Sequence, residues 1–213
     1  MTAGWQLRRV LRLGALALGA AVILIAGCTH AIPLKATMGE PAGVAKVPAR
    51  VGVYYSSDFR NYQHSGSRAG DRWDFPLGQA SVTLFNQTFP MLFAGTESVP
   101  NLPPLSGGSQ LAAVIEPKIE AFDFTLPFLK TGTYTAEITY RFTLYSPKGD
   151  PVASWTVKGS GAQKGQAGFE FARWPGEAAD LAMRDAATRF LNGFAEVPEV
   201  QPWLRQVKAS QPQ

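Results

Sequence analysis

The sequence predicts an α+β fold, a two-layer sandwich in which two helices cover a mixed or antiparallel sheet of about four strands. Residues 133–145 and 151–161 alternate apolar and polar side chains on either side of a turn marked by Pro147 and Gly149, a pattern typical of an antiparallel hairpin with one dry face. Residues 77–93 and 177–194 carry apolar side chains at helical spacing. Because the dry face of the hairpin needs an apolar cover, two amphipathic helices on one face of a sheet satisfy all of these segments.

Length and charge favour one globular domain and exclude a nucleic-acid footprint. The chain has 213 residues and a net charge of +4, and three of its 20 basic residues are Arg8, Arg9 and Arg12. Without these three, 17 basic residues stand against 16 acidic ones, a balance of +1. Since nucleic-acid binding needs basic charge clustered on the folded domain, we expect no nucleic-acid partner.

Residues 1–27 read as a lipoprotein signal peptide. A positively charged head precedes an uncharged apolar run, and the small residues Ala26 and Gly27 stand directly before Cys28. This ending resembles the bacterial lipobox, which implies diacylglycerol on the thiol of Cys28 and an N-acyl chain on the new N-terminus. We expect no other cofactor. Cys28 is the single cysteine, so an intramolecular disulfide is excluded. The alternative is an uncleaved membrane anchor, since residues 13–34 contain no Asp, Glu, Lys or Arg.

The remaining chain divides into a tether, a domain and a tail. Residues 28–50 are rich in Pro and Gly and predict a lipidated tether that lifts the domain from the membrane. Residues 51–197 form the α+β domain. The polar segment 198–213, with Pro198 and Pro202, predicts a flexible tail.

Within the domain the predicted order is β-α-β-β-β-α. Residues 51–55 form the first strand, and 56–76 form a long loop. The first helix, residues 77–93, either kinks at Pro90 or ends before it. A Gly/Pro-rich connector over 94–109 leads to a second strand over 111–126.

Two features of the strand over 111–126 predict an irregularity. Its apolar residues change parity near Ala121, which indicates a bulge or two halves covered on different sides. Pro117 has no N–H to donate, so it must face an unpaired edge or the bulge.

The sequence offers no convincing catalytic or metal site. Its two histidines are His30, next to the lipidation site, and His64. His64 with Ser65 and a nearby Asp could be drawn as a triad, but no Gly-x-Ser-x-Gly elbow supports it. The acids around His64 match no metal-ligand spacing. We therefore expect no catalytic residues, no metal and no enzyme activity.

The segment 56–76 stands out because it interleaves aromatic side chains with arginines. Both residue types are enriched at protein interfaces, and aromatic rings also stack on sugars. The alternative is that the aromatic side chains fold back onto the core. The predicted partner-binding residues are Phe59, Arg60, Tyr62, Arg68, Arg72 and Trp73.

The order of elements resembles that of a group of small envelope lipoproteins. The resemblance rests on residues 114–120 and on the hairpin 134–145 with 151–161. The group includes YajG-type lipoproteins, the curli-secretion and Pel exopolysaccharide lipoproteins, and the N-terminal domain of TolB; the LPS-assembly lipoprotein is a second candidate.

The resemblance implies an outer-membrane lipoprotein on the periplasmic face, since Thr29 stands where an inner-membrane retention signal would carry Asp. It further implies a non-catalytic accessory of an envelope machine, with a protein partner and possible homo-oligomers. Binding of a glycan or a lipid through residues 56–76 is the alternative function.

Overall fold

The computed structural model describes residues 29–39, 43–68, 70–104, 110–127, 132–165 and 172–210. Its larger sheet is built from Val47–Val53 (β2), Phe93–Ser98 (β5), Ala113–Thr125 (β6), Gly132–Tyr145 (β7) and Pro151–Gly165 (β8). The strand order is β5-β2-β6-β7-β8. β2 runs parallel to β5 and to β6, whereas β6, β7 and β8 pair antiparallel. The predicted α+β class and the mixed sheet are confirmed, but this sheet has five strands rather than about four.

The extra strand, β5, lies in the segment that we predicted to be a connector. Of its six residues only Phe93 is buried, so it lacks the alternation that identifies a half-buried strand in a sequence. It forms because the backbone of β2 offers it a parallel partner, with Val51 opposite Thr96. Tertiary pairing therefore decides the structure of this segment.

Two long helices cover one face of the sheet, as predicted. Leu77–Leu92 (α2) sets Phe85 edge-on against Tyr140 and Phe142, with ring centroids 5.0 and 5.4 Å apart. Pro90 lies in the last turn of α2, and the helix continues two residues beyond it. Arg173–Gly193 (α3) brings Phe190 to 4.5 Å from the Phe142 ring. Phe142 is fully buried at the centre of this aromatic core.

The predicted irregularity in β6 is a bulge between Ile119 and Ala121. Ile115 faces Leu144 before the bulge, and Phe122 faces Ile138 after it. The extra residue therefore returns Phe122 and the rest of the distal half to the face that carries Ile115. Pro117 lies beyond Ile115, where the pairing of β6 with β2 stops.

Helix α3 approaches β8 unusually closely at two glycines. A Cβ added to Gly159 would lie 2.1 Å from the carbonyl oxygen of Ala182, and one added to Gly161 would lie 2.1 Å from that of Ala178. Glycine is the residue that allows a backbone to approach another this closely. These two positions set the distance between the helix layer and the sheet.

A second, three-stranded sheet replaces the predicted loop and part of the predicted tether. Its strands are Thr29–Ala31 (β1), His64–Arg68 (β3) and Asp71–Phe75 (β4), in the order β1-β4-β3. A short helix, Ser57–Arg60 (α1), lies between β1 and β3 in the chain. The buried Phe75 packs on Phe122 and Phe124 at centroid distances of 5.0 and 4.8 Å, which joins this sheet to β6. The segments 29–31 and 56–76 were therefore wrongly interpreted as tether and loop.

The predicted flexible tail is also wrong for residues 201–209. They form a helix, Gln201–Ala209 (α4), which follows a 3-10 turn at Phe194–Glu196. Trp203 is buried and its indole N–H donates to the carbonyl oxygen of Ala112 at 3.3 Å. In the part of the chain that the structure describes, no helix is long and apolar enough to cross a membrane.

Candidate functional site

The predicted lipidation residue, Cys28, lies just outside the described residues. Thr29, which follows it, already belongs to β1 and pairs with Arg72 of β4. The chain stays held after β1, because the amide of Ile32 donates to the carbonyl oxygen of Asp74 at 2.9 Å and the Ile32 side chain is buried. The residue that follows the predicted lipidation site is therefore part of the folded domain.

Two of the three aromatic residues of the predicted contact surface, Phe59 and Trp73, are in the core. Phe59 is 3% exposed and stacks on Tyr55 at 5.6 Å, whereas Trp73 is 2% exposed and lies 6.4 Å from the Phe124 ring. The alternative that these aromatics fold back onto the core is correct for both. Tyr62 is half-buried against the same core. Phe59 and Trp73 thus cannot serve as exposed anchors for a partner.

The three arginines of that surface are exposed, but each is bonded to a different residue of the domain. Arg60 donates through Nε to the carbonyl oxygen of Tyr55 at 3.1 Å. Arg68 pairs with Asp123 at 3.2 Å, and Arg72 pairs with Asp74 at 3.1 Å. Since the neighbouring aromatics are buried, the structure does not bring these residues together as one aromatic and arginine surface.

The strand geometry of β3 separates the residues of the imagined triad. His64 faces the core, where its ring lies 5.0 Å from Phe122 and 6.0 Å from Phe124. Burial there lowers the pKa of His64. Ser65 follows it in the strand and so points to the other face, where its Oγ donates to Asp74 Oδ1 at 2.6 Å. His64 is consequently not placed to activate Ser65.

Among the described residues, no three His, Cys, Asp or Glu side chains are grouped as metal ligands. The acids near His64 instead form hydrogen bonds and ion pairs, as Asp74 does with Ser65 and Arg72. These bonds hold the pKa of Asp74 below its usual value, the Ser65 hydrogen bond contributing most.

A groove of about 800 Å³ lies between the segment 33–37 and α3. Its floor is pinned by Asp180, whose carboxylate accepts the backbone N–H groups of Lys35 and Ala36 at 3.1 Å. Ala36 itself takes a left-handed φ of 37°. The sequence did not predict this groove. Residues 28–50 were interpreted as a tether, and a tether would make no contact with Asp180.

The charges of this groove are unequal. The Asp180 carboxylate accepts hydrogen bonds from backbone amides, and the Glu177 carboxylate pairs with Arg173 at 2.6 Å. Lys35 and Arg184 also line the groove, and neither pairs with a carboxylate among the described residues. The groove therefore presents two cations next to apolar side chains such as Leu181.

No protein-family model and no curated protein matches the sequence. The fold is similar to that of protein XCC0632 from Xanthomonas campestris, described as DUF330, with a TM-score of 0.52 and 12% identity over 83% of this chain and 98% of that one. At this identity the similarity shows a common fold, and a fold does not specify an activity.

Two bacterial lipoproteins are also among the similar solved structures. One, from Caulobacter crescentus and only provisionally named a lipoprotein, has a TM-score of 0.40 and 9% identity over 76% of this chain and 93% of that one. A minor lipoprotein from Acinetobacter baumannii has a TM-score of 0.34 and 10% identity over 79% of this chain and all of that one. Similarities this distant carry no conclusion about function.

Proposed function

We propose that the protein is a lipid-anchored lipoprotein of the bacterial outer membrane, exposed to the periplasm, that acts as a non-catalytic accessory of an envelope machine. The observation that carries the proposal is the lipobox-like ending at Cys28 after a positive head and an apolar run. It is consistent with the structure, since Thr29, the residue after Cys28, belongs to β1, and a chain cleaved before Cys28 would keep the whole of that strand. Diacylglycerol and an N-acyl chain together would anchor the protein stably.

The non-catalytic part of the proposal is supported by where the titratable side chains lie. Burial raises the pKa of Tyr140, whose hydroxyl is satisfied by Ser81 at 2.8 Å. His64 is enclosed by phenylalanine rings and separated from Ser65. The side chains with shifted pKa values, Tyr140 and His64, are therefore packed in the core. They do not lie together in a cleft that could bring an acid, a base and a nucleophile to a substrate.

The anchor is tested by Cys28→Ala in the full chain. We expect the variant to lose palmitate labelling, to keep its signal peptide, and to leave the outer-membrane fraction. Thr29→Ala, which leaves the cysteine in place, is the matched control and should be processed like wild type. A Cys28→Ala protein of mature mass in the same membrane fraction would overturn the proposal.

For the protein partner, the proposed contact is the outer edge of β8, which carries no neighbouring strand among the described residues. The amide of Ser160 points to this edge, where Asp185 of α3 accepts it at 2.9 Å. By the alternation of a strand, Ser154 and Thr156 present their amides to the same side. An extended segment of a partner could pair with these groups and lengthen the sheet.

This contact is tested with a photo-cross-linking residue at Ser154 and a second substitution at Thr156. Thr156→Pro removes an outward N–H without removing a bond to β7, so the domain should fold while the cross-linked adduct is lost. Thr156→Val keeps the N–H and should retain the adduct. An adduct that is equally strong in both variants would place the partner elsewhere.

A second candidate function, binding of an anionic lipid, is favoured by the groove at α3. Lys35 and Arg184 lack a carboxylate partner among the described residues and flank apolar lining, which suits a phosphate headgroup with attached carbon chains. Calorimetric titration with glycerol phosphate should show binding that is lost in Lys35→Gln with Arg184→Gln. Arg205→Gln with Lys208→Gln, on α4, is the control pair, and equal binding by all proteins would exclude the groove.

A further inference from the structure

The structure leaves almost no free chain between the proposed lipid and the domain. Thr29 is the first residue of β1 and lies opposite Arg72. Consecutive Cα atoms are about 3.8 Å apart, so the Cα of Cys28 lies within that distance of a strand already paired in a sheet.

The segment that follows β1 is also held to the domain. Ile32 is 1% exposed, and the amides of Lys35 and Ala36 are held by the buried Asp180. An added Cβ at Gly176 of α3 would lie 2.8 Å from the carbonyl oxygen of Pro33, so chain and helix are in close contact there as well. Detaching this segment to make a tether would expose the Ile32 side chain. It would also leave the buried carboxylate of Asp180 without the two amides that donate to it, which costs free energy.

The attachment point lies at one end of an elongated sheet. Thr29 pairs beside the β3–β4 turn, where Arg68 contacts Asp123 near the end of β6. The distal part of β6 faces the start of β7, with Thr125 opposite Thr135. The β7–β8 turn at Lys148 lies at the other end of β7, which has 14 residues and thus spans about 45 Å at the rise of a strand.

We propose that the domain sits directly on the outer membrane, with the β3–β4 turn against the lipid headgroups and the β7–β8 turn pointing away into the periplasm. The inference rests on the proposed lipidation of Cys28. A domain on a long tether would be free to rotate above the membrane, whereas this domain would be held in a defined orientation.

The side chains around the β3–β4 turn suit a headgroup layer. The side chain of Arg72 is 59% exposed, whereas its partner Asp74 is 15% exposed, so the cation lies outward and the acid is recessed. Arg68 is 46% exposed on the same turn, and its partner Asp123 is 71% exposed, so the recessed acid is a feature of the Arg72 pair alone. A guanidinium has five N–H donors, so each arginine keeps donors for lipid phosphates while it holds its carboxylate.

The experiment uses the full lipidated chain in vesicles of phosphatidylethanolamine and phosphatidylglycerol. Acylation occupies the thiol of Cys28, so Ser67→Cys at the β3–β4 turn or Lys148→Cys at the β7–β8 turn supplies a single free thiol for a fluorophore. Both native side chains are exposed. A lipid with a quencher on its headgroup should quench the probe at residue 67 several-fold more strongly than the probe at residue 148.

A third protein tests whether the short connection causes this orientation. A Gly/Ser insert of about 20 residues between Cys28 and Thr29 adds an end-to-end distance of about 25 Å. It should reduce quenching at residue 67 toward the value at residue 148 while the protein remains membrane-bound. Unchanged quenching would show that the short connection does not hold the domain down.

Equal quenching at residues 67 and 148 in the protein of native length, or stronger quenching at 148, would overturn the inference. Palmitate labelling of the same preparations separates this result from a failure of the proposed function. If Cys28 is labelled and residue 67 is not quenched, the orientation is wrong and the lipoprotein assignment stands. If Cys28 is not labelled, both are overturned.

Discussion

Replacing Gly159 by alanine should separate helix α3 from the sheet. The new Cβ would lie 2.1 Å from the carbonyl oxygen of Ala182 and 2.5 Å from the amide nitrogen of Ala186. Ordinary contact begins at 3.4 Å, so the two backbones must part by about 1.3 Å. Both clashing atoms are backbone, and no side-chain rotation can relieve the contact.

The energetic cost follows from what that displacement disturbs. Helix α3 carries Met183 and Phe190 in the main core, and both would lose close contacts as the helix moves. Overpacking typically costs about 1–3 kcal/mol, and a clash between two backbones belongs at or above the upper end of that range. For a domain of this size, 3 kcal/mol corresponds to a drop in melting temperature of about 6–12 °C.

Thermal unfolding followed by circular dichroism measures this change. Gly193→Ala is the matched control, since its Cβ would meet nothing within 4 Å at the end of the same helix. It should leave the melting temperature unchanged or slightly raise it, because alanine is the better helix former. A Gly159→Ala protein that melts within a degree or so of wild type would refute the close approach of α3 to β8.

Three further changes test the core, the small sheet and the C-terminal helix. Phe142→Ala should cost about 3–5 kcal/mol in urea unfolding, because the ring is fully buried; a loss below about 1 kcal/mol would contradict its central position. Burial lowers the pKa of His64 from 6.5, so its contribution to stability is complete above pH 6.5 and is lost as the pH falls through the lowered pKa. His64→Phe should therefore flatten the loss of stability between about pH 7 and pH 5, and an unchanged slope would show that His64 is solvated. Trp203→Ala should lower the free energy of unfolding by about 3–5 kcal/mol, since the indole is 4% exposed. An unchanged unfolding midpoint would show that the C-terminal segment is a flexible tail, as the sequence predicted.

The hairpin and the two long helices could be predicted because their patterns are local. Tyr134 to Leu144 alternate with polar residues along one strand, and the structure buries that apolar set on one face. The parity change near Ala121 predicted the bulge for the same reason, since a strand must keep its apolar residues on the covered face. Trp155 has the predicted parity but is only half-buried, because β8 lies at the edge of the sheet.

The candidate contact surface was harder to predict because strand pairing over long sequence distances leaves little local trace. Trp73 and Phe75 alternate with polar residues over only five positions, too few to distinguish a short strand from a loop. Their partner strand, β1, begins more than forty residues earlier and lies in a segment rich in Pro and Gly. Pairing with β1 and packing on Phe124 bury Trp73, and this removes it from the surface.

The sequence by itself determined the α+β class, the faces of the central hairpin and its covering helices, and the lipobox-like ending at Cys28. Each of these depends on residues that are neighbours in the chain, so periodicity or a short motif is sufficient to identify it. Only the tertiary structure decided that residues 29–39 belong to the domain, because the contacts of Thr29 with Arg72 and of Lys35 with Asp180 join distant parts of the chain. Two of these features are stable only in the assembled fold: the Asp180 carboxylate buried with two backbone amides, and the three-residue strand β1. No local sequence pattern predicts either of them.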